Sequence, residues 1–475
     1  VVSAVASVAA IGCIKRNQPQ SQPKSVNAGL GSMAEPVLPI VPVKGCPTPH
    51  CDYSMSDQSN MEIPPLVSGR FGVPRSPKVI WSDRVASGSL VGLGCVADGQ
   101  QFAVCSNNSP VDAVRAYTFD QMGRLKIKWK SGRELGNTAF TSAPSILADG
   151  SVIAADKEYL VMFEPDGKVL WKSALPQPTG SGSALPISPV IASTGHILVA
   201  TLGGPVSLYD LGGKGKQTSV LELTQPDPLT GELIRFQTAN TPCVRGDRAY
   251  ILAEATGDRK EGALFALQIT KDGAARIAWA FPFLKDSGAS PTCINDVVYF
   301  DGSFDDGAGP KTTFFAVRDL GHNNFELVWK KETAGKMEAS AAFAAGRLWG
   351  YSIGFPAFTS YDIGNGDSEV FDLRQLEGLG LRNPTLASAI TVASSAGEPV
   401  LLGTVVELGN SMLPMNPTAV AIGIGRTPPR LIWKVKLGLA ATGTNPGQWP
   451  ILQSRKGPVM IFNTVSEGVK AIGMD

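Results

Sequence analysis

Side chains with reactive or ligating chemistry are few in this chain: seven cysteines, three histidines and one run of alternating oxygen-bearing residues. With Cys13 set apart behind an apolar segment, Cys46, Cys51, Cys95, Cys105, Cys243 and Cys293 form an even set. An even set suits disulfides made in an oxidising compartment. Cys46 and Cys51 are close enough in sequence for a local bridge, and Cys95 and Cys105 flank one expected hairpin. Cys243 and Cys293 fall in the first strands of adjacent repeats, where they are either bridged or small buried residues. Cys46-Pro47-Thr48-Pro49-His50-Cys51 has the wrong order and spacing for haem attachment. His50, His196 and His322 are isolated, without a carboxylate pattern, and read as ordinary surface histidines. In Asp301-Gly302-Ser303-Phe304-Asp305-Asp306-Gly307, the residues Asp301, Ser303, Asp305 and Asp306 offer oxygens at the alternating spacing of a Ca²⁺ loop. The glycine falls one residue later than in an EF-hand loop and no Glu closes the far side. A solvated hairpin tip is therefore the expectation, with calcium as the alternative. No set of catalytic residues emerges.

The elements that must position these groups are marked by two ladders. Trp81, Trp129, Trp171, Trp279, Trp329 and Trp433 each end a short phrase such as Lys168-Val169-Leu170-Trp171, at spacings of 48, 42, 108, 50 and 104 residues. The long gaps are close to double, so one period of roughly 42–54 residues runs through the chain, the sign of a repeat architecture. Prolines opening apolar runs, at Pro144, Pro189, Pro242, Pro291, Pro384 and Pro450, keep the same period. The clearest repeat runs from Pro144-Ser145-Ile146-Leu147 through Asp149-Gly150 to Ser151-Val152-Ile153-Ala154. It continues with Tyr159-Leu160-Val161-Met162-Phe163, a turn at Pro165-Asp166-Gly167, and the strand ending at Trp171. Asp-Gly between short β-rich runs signals a hairpin, and four antiparallel strands are the unit of a propeller blade.

Eight hairpin centres follow: Asp98-Gly99, Asp149-Gly150, Thr194-Gly195, Gly246-Asp247, Asn295-Asp296, Ala345-Gly346, Ala396-Gly397 and Lys456-Gly457. The last unit supplies three strands over about residues 450–473, and its missing fourth is Val79 to Trp81. The expected fold is all-β: an eight-bladed β-propeller of four-stranded antiparallel blades, closed by an N-terminal strand in the last blade. That closure removes an open sheet edge. Each tryptophan of the ladder is then a blade-packing residue set against the neighbouring blade. Units three and six lack one and end near Ser219-Val220-Leu221 and Glu369-Val370-Phe371.

Composition agrees with a turn-rich β protein. Gly 52 and Pro 35 supply many turns in 475 residues, below the level of low-complexity sequence. Lys+Arg 42 against Asp+Glu 41 leaves a net charge of +1, so no concentrated positive surface invites nucleic acid. No stretch of 18 apolar residues is present to form a complete membrane span. Residues 1–13 are signal-like: an uncharged apolar run, then Ala10-Ile11-Gly12-Cys13, in which a small residue precedes a cysteine as in bacterial lipoproteins. Cys13 is the expected lipidation site. Residues 14–78 carry eleven prolines among Gln, Ser and Asn and read as an extended, semi-rigid linker arm. The propeller is assigned to residues 79–475.

Ser188-Pro189-Val190-Ile191, Phe265-Ala266-Leu267 and Pro165-Asp166-Gly167-Lys168-Val169-Leu170-Trp171-Lys172 resemble the PQQ-like β-propeller repeat. The resemblance spans about residues 79–473. It implies either a quinoprotein dehydrogenase or a non-enzymatic outer-membrane assembly lipoprotein. Members of the first group set an adjacent Cys-Cys pair against the quinone and hold Ca²⁺ with carboxylates near an Asp base; this chain has no adjacent cysteines. The resemblance thus favours a non-catalytic, membrane-tethered scaffold outside the cytoplasm, without a cofactor, meeting other envelope proteins through its loop faces or its arm. A PQQ- and calcium-dependent oxidoreductase is the first alternative. A glycan-binding or adhesive propeller, motivated by Phe355, Phe358 and Tyr361, is the second.

Overall fold

Eight short turns between residues 98 and 457 each fold a hairpin, because their residues tolerate the left-handed conformations such turns require. Ala345 (φ 51°) and Gly346 (φ 73°) are both left-handed, the combination that lets a two-residue turn match the twist of its strands. The computed structural model describes residues 41 and 44–474, except 66, 69–73, 84–93, 108, 110, 136–141, 178–186, 239, 285–288, 306, 308, 338–339, 353–354, 409–413, 438–448 and 465–467.

Among the described residues five sheets are four-stranded and antiparallel. A six-stranded sheet and a ten-stranded sheet, the latter joined where Leu284 stands opposite Ser303, contain further four-strand antiparallel units, and the units are numbered here in chain order as blades. Blade one comprises Cys95–Ala97, Ala103–Ser106, Val114–Phe119 and Leu125–Lys130, and blade two runs from Ser145–Ile146 to Val169–Ala174. Blades three to six end on Lys216–Leu221, Ala275–Leu284, Asn324–Glu332 and Ser368–Asp372. In blade seven the first strand is divided into Pro384–Leu386 and Thr391–Ser395, which pair with different parts of Glu398–Leu408. Blade eight takes Ile451–Ser454, Gly457–Thr464 and Gly468–Gly473 from the C-terminal side. Its fourth strand is Lys78–Asp83, with Ala471 opposite Trp81.

The hydrophobic core lies between sheets. One cluster joins blades one and two through Val104, Ala116, Trp129, Val152 and Val161. Equivalent clusters link two with three, three with four and five, five with six, six with seven and seven with eight. A last cluster sets Leu452, Ile461 and Ala471 of blade eight against Cys105 and Tyr117 of blade one. The packing therefore returns to its starting point, and the fold is a closed β-propeller. A buried salt link marks the closure: Arg115 of blade one reaches Asp83 at the end of the closing strand, 2.7 Å away.

In seven blades the register of the third and fourth strands slips by one residue at the same place. Such a bulge bends the strand and re-aims the next side chain. In six of these blades that side chain is a tryptophan of the ladder. Trp129, Trp279, Trp329 and Trp433 each stand opposite an alanine, Ala116, Ala266, Ala316 and Ala421, so the ring leans outward over the next sheet. Blade three keeps the bulge with Ser219 at that position, and blade six has neither a bulge nor a tryptophan between its third and fourth strands.

The arm differs from its sequence reading. Residues 44–65 are not a spacer: Cys46, Met55, Asp57 and Ile63 are almost fully buried, and Gln58–Glu62 is a strand parallel to Thr391–Ser395. Such a segment can be buried when its backbone groups find partners in the surrounding sheet edges. Cys13 and the rest of the 1–13 segment lie outside the described residues. No helix among the described residues is long and apolar enough to cross a membrane.

Candidate functional site at the propeller axis

The first strand of every blade pairs with the second strand along one edge, leaving N–H groups along the other in need of acceptors. Residues 46–57 supply them for blades one, two, four, five, six and seven. Cys46 exchanges both backbone bonds with Ala97 of blade one, at 3.0 and 2.8 Å. The carbonyl of Pro47 accepts from Ile146 of blade two at 2.7 Å, and that of Tyr53 from Val244 of blade four at 2.6 Å. Ser54 accepts from Cys293 of blade five at 2.8 Å, Ser56 from Phe343 of blade six at 2.8 Å, and Asp57 from Val392 of blade seven at 2.7 Å. Blade three is met by the Tyr53 ring, which packs on the cluster of Ile191 and Ile197. Met61 meets blade eight, on the cluster of Trp449 and Ile451. One short segment thus visits the blades in their own order. Only strands that line a common axis can be reached this way, and the segment is an internal hoop around that axis.

Local chemistry makes the hoop curl. Cys46 and Cys51 are disulfide-bonded. His50, Cys51, Met55 and Asp57 all adopt left-handed backbone angles, φ 59°, 67°, 56° and 50°, at roughly 1–2 kcal/mol each for non-glycine residues. Such strain persists only where the surroundings over-determine it. Here the Asp52 carboxylate accepts from the Ser56 hydroxyl at 2.5 Å and the Ser56 N–H at 3.1 Å. The Asp57 N–H donates to the His50 carbonyl at 2.9 Å, and His50 Nδ1 lies 3.0 Å from the fully buried Asp57 carboxylate. Burial pushes the Asp52 carboxyl above its ordinary range, opposed by the Ser56 bonds. The sequence reading of surface histidines fails for His50, which faces a carboxylate, and for His196, which is buried against Thr194. His322 is exposed in an outer turn.

All six remaining cysteines gather at this hub. Cys95 and Cys105 stand directly opposite in blade one and are bridged. Cys243 and Cys293 bridge the first strands of blades four and five, and the Cys293 N–H is itself a donor to the hoop.

Tryptophans of the ladder meet the outer turn of the next blade. Trp129 Nε1 donates to Pro165 O and Trp329 Nε1 to Ile363 O, both at 3.1 Å. Trp171 lies over Gly215 and Trp279 against Phe325 at 5.1 Å between centroids, whereas Trp81 meets the third strand of blade one, edge-on to Tyr117 at 5.5 Å. Blade eight has no outer turn, because its outer strand comes from the other end of the chain. Trp433 Nε1 instead donates to Pro64 O of the arm at 3.1 Å.

The acidic run is a strand rather than a turn: Val297–Asp305 pairs with Pro310–Gly321. An extended strand puts Asp301 and Asp305 about 13 Å apart, far beyond what one Ca²⁺ could span with ligands at about 2.5 Å. Asp301 is buried and accepts from the Met337 N–H at 3.1 Å, Ser303 is buried further along the strand, and Asp305 caps its own turn through Gly307 and Gly309. Asp306 lies outside the described residues. Among the described residues, no group of three or more His, Cys, Asp or Glu could hold a metal ion. Of the aromatic candidates, Phe358 and Tyr361 are buried and Phe355 is exposed. The chain has no adjacent cysteine pair of the kind the resembling enzymes set against a quinone, and its hoop follows the strands that line the axis.

The hoop left little trace in sequence. Its contacts are made by backbone carbonyls, which carry no side-chain signature; buried Met55 and Ile63 inside a polar, proline-rich stretch were the available signal.

No family model matches the chain, and no curated protein matches it. Similar solved structures include BamB from Moraxella catarrhalis, at 13% identity, covering 70% of this chain and 96% of that one with a TM-score of 0.38. A quinohemoprotein alcohol dehydrogenase from Pseudomonas putida HK5 shows 12% identity over 90% of this chain and 71% of its own, with a TM-score of 0.47. The Dos1 propeller shows 9% identity over 79% and 94%, with a TM-score of 0.48.

Proposed function

We propose that this chain is a non-catalytic interaction scaffold of an extracytoplasmic compartment, tethered through Cys13, whose partners are other envelope proteins. The observation that carries this reading is the axial hoop. A quinone enzyme of the resembling repeat family works in the central funnel, and here backbone from residues 46–57 is hydrogen-bonded to the strands that line that space. Three disulfides support the compartment, since such bonds persist where thiols are not kept reduced. The hairpin inserted between blades three and four would supply part of the binding face, because partners bind loops held on rigid scaffolds. The inserted hairpin Thr224–Pro226 and Leu233–Gln237 presents Leu229 at 93% exposure.

Titration with PQQ and Ca²⁺ tests the reading. The scaffold predicts no saturable quinone binding and no dye-linked alcohol oxidation; one quinone bound per chain with turnover would overturn it. Intact mass of the native protein tests the tether, which requires a diacylglyceryl mass on Cys13.

A further inference from the structure

The hoop, its donors and all three disulfides occupy one place, and this coincidence goes beyond the scaffold reading without depending on it. Ring closure alone does not require it, since the inter-blade clusters and the Lys78–Asp83 strand already join first blade to last. We propose that residues 46–57 are an oxidatively locked closing hoop: the segment is seated by the axial N–H groups during folding, and disulfide formation fixes it there.

Three observations converge. The Cys46–Cys51 bridge closes the tightest part of the hoop, next to two left-handed residues that would otherwise relax. The Cys243–Cys293 bridge fixes the spacing of two neighbouring first strands, whose Val244 and Cys293 N–H groups bind consecutive hoop carbonyls, Tyr53 and Ser54. The Cys95–Cys105 bridge stiffens the strand whose Ala97 pairs with Cys46. Each bridge forms by exchange with a disulfide donor such as oxidised glutathione. The donor's S–S bond breaks, the new Sγ–Sγ bond forms, and the two thiol protons and two electrons leave with two reduced donor thiols. Every one of the six sulfur-bearing residues is at most 3% exposed once the ring is shut. The device is therefore a lock set once, sealed from reductants, rather than a reversible switch.

The test is hydrogen exchange on the full chain, comparing wild type with the double variant Cys46→Ser, Cys51→Ser. The lock predicts that amides of Ile146, Val244, Phe343 and Val392 exchange at least tenfold faster in the variant. Amides of the outer strands Val114–Phe119 and Leu125–Lys130 should keep wild-type protection. Equal protection of the hoop donors in both proteins would overturn the proposal, as would loss of protection throughout the variant, which would make the bridge a global requirement. Alkylation of native wild type without reductant adds an independent readout. None of the six cysteines should be labelled, and labelling of Cys46 or Cys51 also overturns the lock.

Discussion

At the scale of single residues, buried polar groups separate tolerated positions from strained ones. Asp156, at the end of the second strand of blade two, accepts through Oδ1 from the Glu158 and Tyr159 N–H groups, both at 2.7 Å. Its Oδ2 is buried without a partner. Burial pushes its carboxyl up to about 6 against those two bonds. With the folded pKa above the unfolded one, the native state holds the extra proton, and stability falls as pH rises from about 4 through about 6. Asp156→Asn keeps the Oδ1 acceptor and removes the charge. Its thermal midpoint should match wild type near pH 4 and exceed it at pH 8. Parallel midpoints across that window would show that the carboxylate finds its own compensation. Sequence reasoning had no access to this residue, because an Asp before a turn is ordinary until its burial is known.

At the scale of elements, the tryptophan-to-turn contact is the repeated joint. A Cβ on Gly167 would lie 2.7 Å from the Trp129 ring, and Gly167 has φ +91°. Gly215 under Trp171 and Gly366 under Trp329 are placed alike, with Cβ positions 2.4 and 2.8 Å from the rings. The glycine of the outer turn is thus required twice, by its backbone angle and by the ring above it. Gly167→Ala should destabilise by about 2–4 kcal/mol, combining left-handed strain with overpacking. Since the second contribution needs the ring, a cycle with Trp129→Ala should show coupling of about 1 kcal/mol or more; additive denaturation midpoints would remove the ring from the account. The tryptophan period, the Asp-Gly turns and the final N-terminal strand were legible because they are side-chain patterns. The bulge that aims each tryptophan was not, since register is a property of two strands together.

For the whole molecule, stability is expected to be cooperative around the ring. Gly468–Gly473 sits between its blade partner and the closing strand Lys78–Asp83, so every N–H in it serves the ladder. Ala471→Pro removes one such bond and inserts a ring into a central strand, at about 3 kcal/mol or more. If closure couples the blades, fluorescence of Trp129 and Trp329 should report the same lowered denaturant midpoint as Trp81. Unchanged midpoints at the distant tryptophans would mean that blades unfold independently.

Sequence by itself determined the all-β class, the four-strand repeat, its hairpins and the strand that completes the last unit. Each of these rests on local turn chemistry or on periodic burial, which residue types record directly. The path of residues 44–65 was decided only in three dimensions. A segment rich in proline and small polar residues has the composition of a free arm. It becomes the hub because first strands far apart in sequence, those of blades one, two, four, five, six and seven, bring N–H groups to one axis where its carbonyls accept them. Likewise Cys243 and Cys293 were either bridged or merely buried in sequence. Their pairing followed when ring curvature brought two first strands to a Cα–Cα separation of 6.2 Å, within the range a disulfide spans.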